Sequence, residues 1–485
     1  MPIMILSLSP TAILPPLNPT RHRFPLHRPR STPTPPLTPI TTTTTTPTTP
    51  SSPVIIVGAG LAGLSAALEL ATNHIPFLLL ESSDGVGGRV RTDSLDGFLL
   101  DRGFQIFITA YPTARRLLDY QALGLRKFYS GARVYYDGKF HNVADPTRHL
   151  LDSVGSLMNP IGTVLDKLLI GLTRIGVVGK SEEEIFLADE ATVMERLRGI
   201  GFSGSIIDRF FRPFFGGIFF DRELETTSRL FEFIFKCLAL GDNALPANGI
   251  GAIPEQLVGR LPPGSVRFNS RVVGIESVKS GGSSVVNLRL ESGETMSTRK
   301  GVVVAVEEPE AERLLKGKLN PVPVKKKPGR GTVCLYYSAE RGQIPTQDPI
   351  LYLNGFGEGI VNNMFFPTNV APSYGPSGKA LVSVSLIGSW DDISDDDLRD
   401  RVIDELSGWF GESMVRSWKH LRTYRIRFAQ PNQTPPTNFN KSTRAGLGVY
   451  LSGDYLTSAT FDGALVSGQR AAEALLEDMS LVGAK

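Results

Sequence analysis

VIIVGAGLAGLSAALELATNHIPFLLLESSDGVGGRVRTDSLDGFLLDRGFQ, residues 54–105, is the stretch that decides the fold of this 485-residue chain. Its first apolar run, Val54–Val57, has the length of a buried parallel strand, and Leu61–Thr72 shows the apolar spacing of a helix. A second apolar run, Phe77–Leu80, ends in Glu81. Strand, glycine turn, helix, strand and acid in this order predict a dinucleotide-binding βαβ unit.

Three glycines in G-x-G-x-x-G spacing occupy the turn between the first strand and the helix. We expect Gly58 to permit the sharp turn, Gly60 to let the backbone approach a pyrophosphate, and Gly63 to let the helix pack closely on the sheet. The helix N-terminus, at Leu61 and Ala62, is expected to offer free N–H groups to the phosphates.

Glu81 lies about 20 residues after the first glycine, the distance expected of the carboxylate that binds the ribose hydroxyls of a dinucleotide. We expect Ser82, its neighbour, to lie at the same site. A glycine-rich turn between ordinary core elements would account for the glycines alone, but it leaves Glu81 unexplained. The dinucleotide interpretation is therefore preferred.

A second glycine-rich turn, GVGGRVRT at residues 85–92, follows Glu81, and Asp-Arg-Gly-Phe stands at residues 101–104. In these motifs the chain resembles the flavin-containing amine oxidase and phytoene desaturase superfamily, whose N-terminal signature reads GxGxxGL…E…GGRxxT…DxG. The resemblance implies that the dinucleotide is FAD and that Arg89 lies beside its pyrophosphate and ribose. It places four residues of these motifs at the cofactor: Gly88, Arg89, Gly103 and Phe104. Without the resemblance, Arg89 reads equally well as an ordinary surface arginine.

The closing segment, VYLSGDYLTSATFDGALVSGQRAAEA at residues 449–474, reads as a strand, a Gly453-Asp454 turn, a loop and a helix that begins near Asp462. The superfamily ends in the same order of elements. The resemblance implies that Asp454 hydrogen-bonds the ribityl chain and that the helix start, with Ala464, points at the N1–C2=O edge of the flavin. A helix N-terminus there stabilises the negative charge of the reduced flavin without a titrating side chain.

Residues 111–245 read as mostly helical, with helices expected over Ala114–Leu123 and Glu183–Arg198. Within Arg209–Leu240 six phenylalanines cluster around Pro213: Phe210, Phe211, Phe214, Phe215, Phe219 and Phe220. Such a cluster is typical of a hydrophobic core. Because the resembled superfamily forms its substrate domain here, the same rings also suit the wall of an apolar channel for a lipophilic substrate.

The chain then alternates between the two predicted domains. A loop and short helix over residues 245–261 lead to a strand at 271–275, where the resemblance places Val272 against the adenine. Residues 284–290 and 295–299 alternate like antiparallel strands of a β-meander, and 301–306 form a continuous apolar run typical of a buried parallel strand. A polar connection over 309–330 follows. Further strands are expected at 332–337, 350–353, 360–366, 380–387 and 418–428, with a helix over 395–410.

These elements predict an α/β fold in which a Rossmann-type FAD-binding domain is interleaved with an α+β substrate domain. The FAD-binding domain, a glutathione-reductase-like parallel sheet plus the β-meander, is assigned to residues 53–110, 246–310 and 445–477. The substrate domain is assigned to a helical cap region, 111–245, and to an antiparallel sheet with a helix, 330–430.

The first 52 residues differ in composition from the rest. They are rich in Pro, Ser and Thr, contain four arginines and no acidic residue, and cannot bury enough apolar surface to fold. This composition is typical of an organellar transit peptide, and its Ser/Thr/Pro bias favours the chloroplast. A disordered tail is the alternative. Removal of the four arginines changes the formal charge from +3 to −1, so nothing favours a nucleic acid partner.

Two cysteines, Cys237 and Cys334, lie far apart, which argues against a disulfide framework or a zinc site and fits a reducing compartment. No uncharged apolar run reaches the ~18 residues that span a membrane. The apolar segment Ile161–Val178, with only three charged residues, is expected either to pack in the core of the helical cap or to lie on a membrane surface. The core interpretation is favoured.

The predicted function is that of an FAD-dependent oxidoreductase, similar to phytoene desaturases, that dehydrogenates a hydrophobic, carotenoid- or isoprenoid-like substrate by hydride transfer to flavin N5. No His/Asp or Cys/His constellation is apparent, and no catalytic side chain is assigned; Arg102 and Gln105 are near-flavin candidates. A flavin amine oxidase is the alternative, which would need an aromatic cage and often a lysine near N5. A non-catalytic flavin-binding interaction protein is the second alternative.

Overall fold

The computed structural model describes residues 53–144, 148, 159–280, 283–315 and 327–483. The segment with transit-peptide composition, residues 1–52, lies outside them. The helices are α1 Leu61–Thr72, α2 Pro112–Leu117, α3 Tyr120–Leu123, α4 Val164–Val178, α5 Glu182–Leu187, α6 Val193–Ile200, α7 Gly204–Ile206, α8 Arg212–Phe219, α9 Ser228–Leu240, α10 Ala252–Val258, α11 Glu308–Leu314, α12 Pro367–Val370, α13 Asp395–Phe410, α14 Glu412–Val415 and α15 Phe461–Gly483. A π-helical turn, Ile207–Phe211, joins α7 to α8.

The strands are β1 Val54–Val57, β2 Phe77–Leu80, β3 Thr92–Leu95, β4 Phe98–Asp101, β5 Phe107–Ile108, β6 Arg126–Lys127, β7 Gly131–Tyr136, β8 Lys139–Ala144, β9 Asn243–Leu245, β10 Val266–Arg267, β11 Val272–Ser280, β12 Ser283–Leu290, β13 Thr295–Thr298, β14 Val302–Val304, β15 Arg330–Glu340, β16 Leu351–Asn354, β17 Asn363–Phe365, β18 Lys379–Ile387, β19 Lys419–Gln430, β20 Arg444–Gly446 and β21 Val449–Leu451.

A six-stranded sheet in the order β10-β2-β1-β14-β21-β20 forms the first layer. Its pairs are parallel from β10 to β21, and only β20 runs antiparallel to its neighbour. All four residues of β1 are buried, as expected of a strand that is covered on both faces. Strands β11, β12 and β13 form the predicted β-meander. The α/β fold class with a parallel sheet and a meander is thereby confirmed.

A seven-stranded sheet in the order β19-β15-β18-β17-β16-β7-β8 forms the second large layer and separates two cores. Along β15, Cys334 and Tyr336 face the larger core, while Val333, Leu335 and Tyr337 face a core shared with α13. The sheet therefore presents one face to the helical region and the other to α13. Strands β7 and β8 lie within residues that the sequence pattern read as mostly helical, so that part of the prediction was wrong.

Two predicted helices are each divided in two. The expected helix over 114–123 is α2 and α3, because Asp119 accepts hydrogen bonds from the N–H groups of Gln121 and Ala122 and starts a new helix. The expected helix over 183–198 is α5 and α6, because Thr192 and Glu195 form a capping box that starts α6. The polar connection predicted for 309–330 also contains helical structure at its start, since α11 ends only at Leu314.

The apolar segment Ile161–Val178, predicted to pack in a core, includes α4 and packs in a core only in part: Ile161 and Val177 are buried, and Leu169 and Ile170 pack against the larger core. The side chains of Leu165 and Ile175 are 60% and 73% exposed. The exposed apolar residues lie on one helix face, at Val164, Leu165, Leu168, Leu172 and Ile175. Arg174 attaches α4 to α9 by donating to the carbonyl oxygen of Ala239, 2.8 Å away. Among the described residues, none of the helices is long and apolar enough to cross a membrane.

Candidate active site

The turns that follow four parallel strands, β1, β2, β14 and β21, meet at one edge of the six-stranded sheet. Ligands of open α/β sheets bind at the carboxyl ends of the strands, and here these turns line a cavity of about 510 Å³. The predicted cofactor residues that line it are Gly58, Gly60, Leu61, Ala62, Glu81, Ser82, Gly88, Arg89, Gly103, Phe104, Val272, Gly453, Asp454 and Ala464. Gly63 is the predicted residue that does not line it.

Two positions accept no residue larger than glycine: Gly58 in the turn after β1 and Gly63 in the first turn of α1. Gly58 has φ +101°, and a Cβ there would lie 2.7 Å from the carbonyl oxygen of Ala305. A Cβ on Gly63 would lie 1.9 Å from the carbonyl oxygen of Gly58, so Gly63 packs the helix against the turn. Gly60 is the N-cap of α1, and no side chain caps the helix. This uncapped helix start fits a pyrophosphate group.

Glu81, directly after β2, is fixed by four hydrogen bonds. The N–H of Ala59 donates to Oε2 over 2.8 Å, the N–H and hydroxyl of Ser83 both donate to Oε1 over 2.8 Å, and the hydroxyl of Ser82 donates to Oε1 over 3.3 Å. The residue is 6% exposed and lines the cavity. The carboxylate therefore stands beside the start of α1 with lone pairs left for a ribose hydroxyl.

Arg89 connects three distant segments at the cavity. Its Nη2 donates to Oδ1 of Asp454 and its Nη1 to the carbonyl oxygen of Ala429, both over 2.8 Å. Its guanidinium carbon lies 5.7 Å from the centre of the Phe428 ring. The Nε2 of Gln105 donates to the Arg89 carbonyl oxygen, also over 2.8 Å. The two polar residues that the resemblance placed on FAD from opposite ends of the chain thus contact each other.

Asp101, which the sequence reading named only as part of a motif, connects three segments that are distant in the chain. Its Oδ1 accepts from the hydroxyl of Thr92 (2.6 Å) and the N–H of Ile250 (2.9 Å), and its Oδ2 accepts from the hydroxyl of Tyr374 (2.8 Å). Burial of the carboxyl raises the pKa of Asp101 to about 6, against the opposing effect of these donors. The sequence signal that could have identified Asp101 was its spacing from Thr92 in the motifs at residues 85–92 and 101–104.

Asp462, at the start of α15, caps helix α2. Its Oδ1 accepts from the N–H groups of Thr113 and Ala114, 2.7 and 2.9 Å away, at the first turn of α2. Burial raises the pKa of Asp462 to about 6, although these N–H groups favour the carboxylate. The start of α15, which the resemblance aims at the flavin, is therefore held against α2. Helix α15 begins at Phe461, within one residue of the predicted start near Asp462.

The lining residues from 106–243 and 332–430 carry no charge, and we call the following ones the substrate half: Ile108, Tyr111, Pro213, Phe214, Gly217, Ile218, Phe219, Phe220, Ile234, Asn243, Thr332, Leu351, Leu353, Asn363 and Ile426. The carboxylates among the described lining residues follow the parallel strands, at Glu81, Glu307, Glu310 and Asp454, and none of these lining residues is lysine. The hydroxyl of Thr332 donates to the carbonyl oxygen of Leu386, which leaves it bound to the sheet.

The phenylalanine cluster forms both a hydrophobic core and a wall of the cavity, the two structures that the sequence suggested for it. Phe211 and Phe215 are fully buried in the larger core, while Phe214, Phe219 and Phe220 line the substrate half. The rings form a continuous packed array around α8. The cluster is thus both the core of the helical region and a wall of the cavity.

Several lining residues were not found from the sequence. Ala305, Val306 and Glu307 line the cavity directly after β14, at the carboxyl edge of the parallel sheet. Their position after a predicted parallel strand was the signal that could have found them. Ala429 and Gln430 close the site from the end of β19, and no local pattern marks them.

The comparisons with known proteins agree with this geometry. The profile of the family described as flavin containing amine oxidoreductase matches residues 61–476. The 15-cis-phytoene desaturase, chloroplastic/chromoplastic, of Glycine max is 24% identical over 481 residues, covering 89% of this chain and 80% of that protein. The 4,4'-diapolycopene oxygenase of Methylomonas sp is 50% identical over 50 residues, so this chain spans a tenth of its length. The solved structure of putrescine oxidase bound to putrescine has a TM-score of 0.63 at 16% identity, covering 88% of this chain and 99% of that one, which shows the shared fold.

The parallel sheet, the glycine turn that fits a pyrophosphate and the cavity at the carboxyl ends of the strands, together with the family match, define an FAD-dependent oxidoreductase. The chain belongs to the family of flavin-containing amine oxidoreductases.

Proposed function

We propose that this FAD-dependent oxidoreductase dehydrogenates an apolar, isoprenoid-like substrate. The uncharged substrate half is the observation that carries the proposal, because an apolar wall binds a lipophilic molecule and offers no partner to a charged one. When bound, FAD supplies a hydride acceptor at N5. The substrate would lose a hydride to the flavin and a proton to water, and would gain a C=C bond.

The chain's own contribution in this proposal is to bind and orient the substrate. Burial raises the pKa of Tyr111 well above its usual range, so the phenol stays neutral beside the substrate. The hydroxyl of Thr332 is already donated to the sheet. The substrate half therefore holds the reacting carbon atoms without a strong side-chain base. This arrangement suits hydride transfer from a C–H bond.

We assign the cofactor roles as the sequence motifs suggested them. The start of α1 would hold the pyrophosphate, Glu81 the ribose hydroxyls, and Val272 the adenine. Arg89 and Asp454 would hold the ribityl and phosphate region, with the start of α15 at the flavin ring. That all six positions line one cavity supports this assignment. The division into FAD-binding and substrate domains is proposed with the same boundaries as above.

Peripheral attachment to a lipid bilayer is part of the proposal. The apolar face of α4 is exposed along its whole length, and Leu187 and Leu240, 65% and 54% exposed, add to the apolar surface. Helix α4 contacts α9, and α9 carries Ile234 into the substrate half. A bilayer docked on α4 would therefore lie one helix away from a cavity for a substrate that dissolves in lipid.

A chloroplast location is proposed on two grounds. The first 52 residues have the composition of a plastid transit peptide. The phytoene desaturase of Glycine max to which the chain is similar is described as chloroplastic/chromoplastic. Detection of the mature N-terminus in isolated chloroplasts would support the location, and recovery of the intact chain from the cytosol would contradict it.

The test of the proposed reaction is an anaerobic reduction assay on the purified, FAD-loaded protein. Phytoene in detergent is expected to bleach the visible flavin band, whereas putrescine is expected to leave it unchanged because the substrate half lacks a counter-charge for an ammonium group. Bleaching by the amine alone would establish an amine oxidase. No bleaching by either, together with a stable protein partner in pull-downs, would favour a non-catalytic flavin-binding protein.

A further inference from the structure

Glu307 places a carboxylate without a partner in the wall of the cofactor cavity. The residue follows β14, is the N-cap of α11 and lines the cavity. Its side chain does not cap the helix, and within the described part of the chain it forms no hydrogen bond or ion pair. Glu307 is exposed, so its carboxylate is accessible and acts on charges bound in the cavity.

The other carboxylates of the described cavity wall have partners. The carboxylate directly after β2 accepts four hydrogen bonds. Asp454 forms its ion pair with Arg89 over 2.8 Å. Two arginines lie against Glu310, one on α11 and one directly before β11: Arg313 at 2.7 Å and Arg271 at 3.9 Å. The charge of Glu307 is therefore the one that this part of the wall does not balance at contact distance.

Glu307 stands close to the proposed position of the pyrophosphate. Strand β14 lies between β1 and β21, and neighbouring strands are about 4.8 Å apart. A Cβ on Gly58 would lie 2.7 Å from the carbonyl oxygen of Ala305 and 3.2 Å from the side chain of Val306, so the turn after β14 packs directly on the glycine turn. Glu307 follows these two residues. It is therefore placed between the start of α1 and the turn after β21.

The surrounding charges disfavour a second anion at this place. Partial desolvation in the cavity wall raises the pKa of Glu307 above its usual range. Arg89 opposes the rise, while the carboxylates of Asp454 and Glu310 add to it. Arg89 is shared with Asp454, so it cannot neutralise every charge at the site. A pyrophosphate carries a negative charge on each phosphate group, and its binding would bring these charges towards the Glu307 carboxylate.

We propose that Glu307 is a further residue of the cofactor site, which opposes FAD as a carboxylate and takes up a proton when FAD binds. The proton comes from the buffer, and FAD affinity rises as the pH falls. The sign follows from linkage, because a bound anion favours the neutral form of a nearby carboxyl group. The inference goes beyond the proposed dehydrogenation and rests on the proposed position of the pyrophosphate.

The test is calorimetric titration of the full-length apoprotein with FAD between about pH 5 and 8, in two buffers of different ionisation enthalpy. The difference between the buffers gives the number of protons taken up. Glu307→Gln, which keeps the shape and removes the charge, is expected to bind FAD about tenfold more tightly than the wild type at about pH 8. This ratio is expected to shrink towards one as the pH falls, and the wild type is expected to take up more protons than the variant. Taking the ratio of the two proteins cancels the titration of other buried carboxyl groups.

Glu312→Gln is the matched control, because it removes the same charge from the same helix at a residue that does not line the cavity. It is expected to bind FAD with the affinity of the wild type. ADP, used as a competitor of FAD, carries the pyrophosphate without the flavin. Glu307→Gln is expected to strengthen ADP binding by about the same factor as FAD binding.

Weaker FAD binding by Glu307→Gln would overturn the inference, since the carboxylate would then accept a hydrogen bond from the cofactor. Parallel pH profiles of the wild type and this variant, or equal tightening in Glu312→Gln, would also overturn it. An unchanged affinity for ADP would reject the inference together with the proposed pyrophosphate position. None of these results touches the proposed dehydrogenation, which is judged by bleaching of the flavin band, and absence of bleaching would leave the proton count standing.

Discussion

Arg89 and Asp454 are 365 residues apart in the chain and form an ion pair, with 2.8 Å between Nη2 and Oδ1. The pair joins the second glycine turn to the closing Gly-Asp turn across the cavity. Because Arg89 also donates to the carbonyl oxygen of Ala429, one side chain connects β19 to the turn after β21. The geometry of the cofactor site therefore depends on this arginine.

We predict that Arg89→Ala and Asp454→Asn each weaken FAD binding by about tenfold to a hundredfold, and that the double variant is no worse than the stronger single one. The physical reason is that either change leaves a partner in the site without its counter-charge. Fluorescence titration of the apoprotein with FAD measures the effect. Arg416→Ala removes two exposed ion pairs, with Asp404 and Glu412, and is expected to leave FAD affinity unchanged. Strict additivity of the two single losses would show that the pair is not energetically coupled.

Replacement of Glu81 tests the ribose assignment. Glu81→Ala removes the acceptor for the N–H groups of Ala59 and Ser83, and we expect FAD affinity to fall at least about tenfold. Glu81→Gln keeps one acceptor oxygen and is expected to lose less. Isothermal titration with FAD measures both values. Unchanged affinity in the alanine variant would remove Glu81 from the cofactor site.

The buried carboxyl of Asp462 predicts a pH dependence of stability. Its pKa is raised to about 6 in the folded protein, so the folded state holds a proton here that the unfolded chain releases at lower pH. This contribution to the free energy of unfolding is complete below about pH 4 and is lost as the pH rises through about 6, a change of up to about 3 kcal/mol.

Asp462→Asn keeps an oxygen for the N–H groups of Thr113 and Ala114 and removes the titration. Relative to this variant, the wild type is expected to lose stability as the pH rises from about 4 to 7, measured by urea midpoints. Asp392→Asn, at an exposed position, provides the control and should follow the wild type. Parallel pH profiles for wild type and Asp462→Asn would contradict the prediction.

The exposed face of α4 predicts binding to vesicles. Leu172→Glu combined with Ile175→Glu places two charges on this face, and we expect affinity for phosphatidylcholine vesicles containing phosphatidylglycerol to fall at least tenfold, since each buried leucine or isoleucine contributes ~1.5–3 kcal/mol. Flotation assays measure the bound fraction. Leu481→Glu, on α15 and 65% exposed in the wild type, is the matched control. Equal flotation of all three proteins would end the membrane proposal.

Local elements of this fold were predictable because their signals are local. The bounds of α1 and α13 are those predicted, since periodicity and terminal residues define a helix over a short window. The division of the expected helix over 183–198 was also readable, because Thr192 and Glu195 have capping-box spacing. In contrast, α4 is apolar along most of its sequence, and only the packed structure shows which face lacks a neighbour.

Long-range contacts of the site were beyond sequence reasoning. The two motifs that contain Arg89 and Asp454 were found, yet nothing in either motif states that the residues bind each other. Asp101 has three donors from three segments, and Asn363 lies in a strand whose pattern signals burial alone. Because ligands bind at the carboxyl ends of parallel strands, the sequence can indicate which edge of the sheet carries the site. The side chains that reach this edge from the seven-stranded sheet and the helical region depend on the tertiary packing.

The packing of α15 on α1 has a consequence for the order of assembly. The hydroxyl of Ser65 donates to the carbonyl oxygen of Leu465 over 2.7 Å, and a Cβ on Gly468 would lie 2.2 Å from the carbonyl oxygen of Ala62. Helix α15 therefore completes the cavity that β1 and α1 begin, although about 390 residues separate the two segments. The cavity wall is assembled only after both segments have been synthesised and have packed together, so its formation depends on long-range folding rather than on the glycine turn alone.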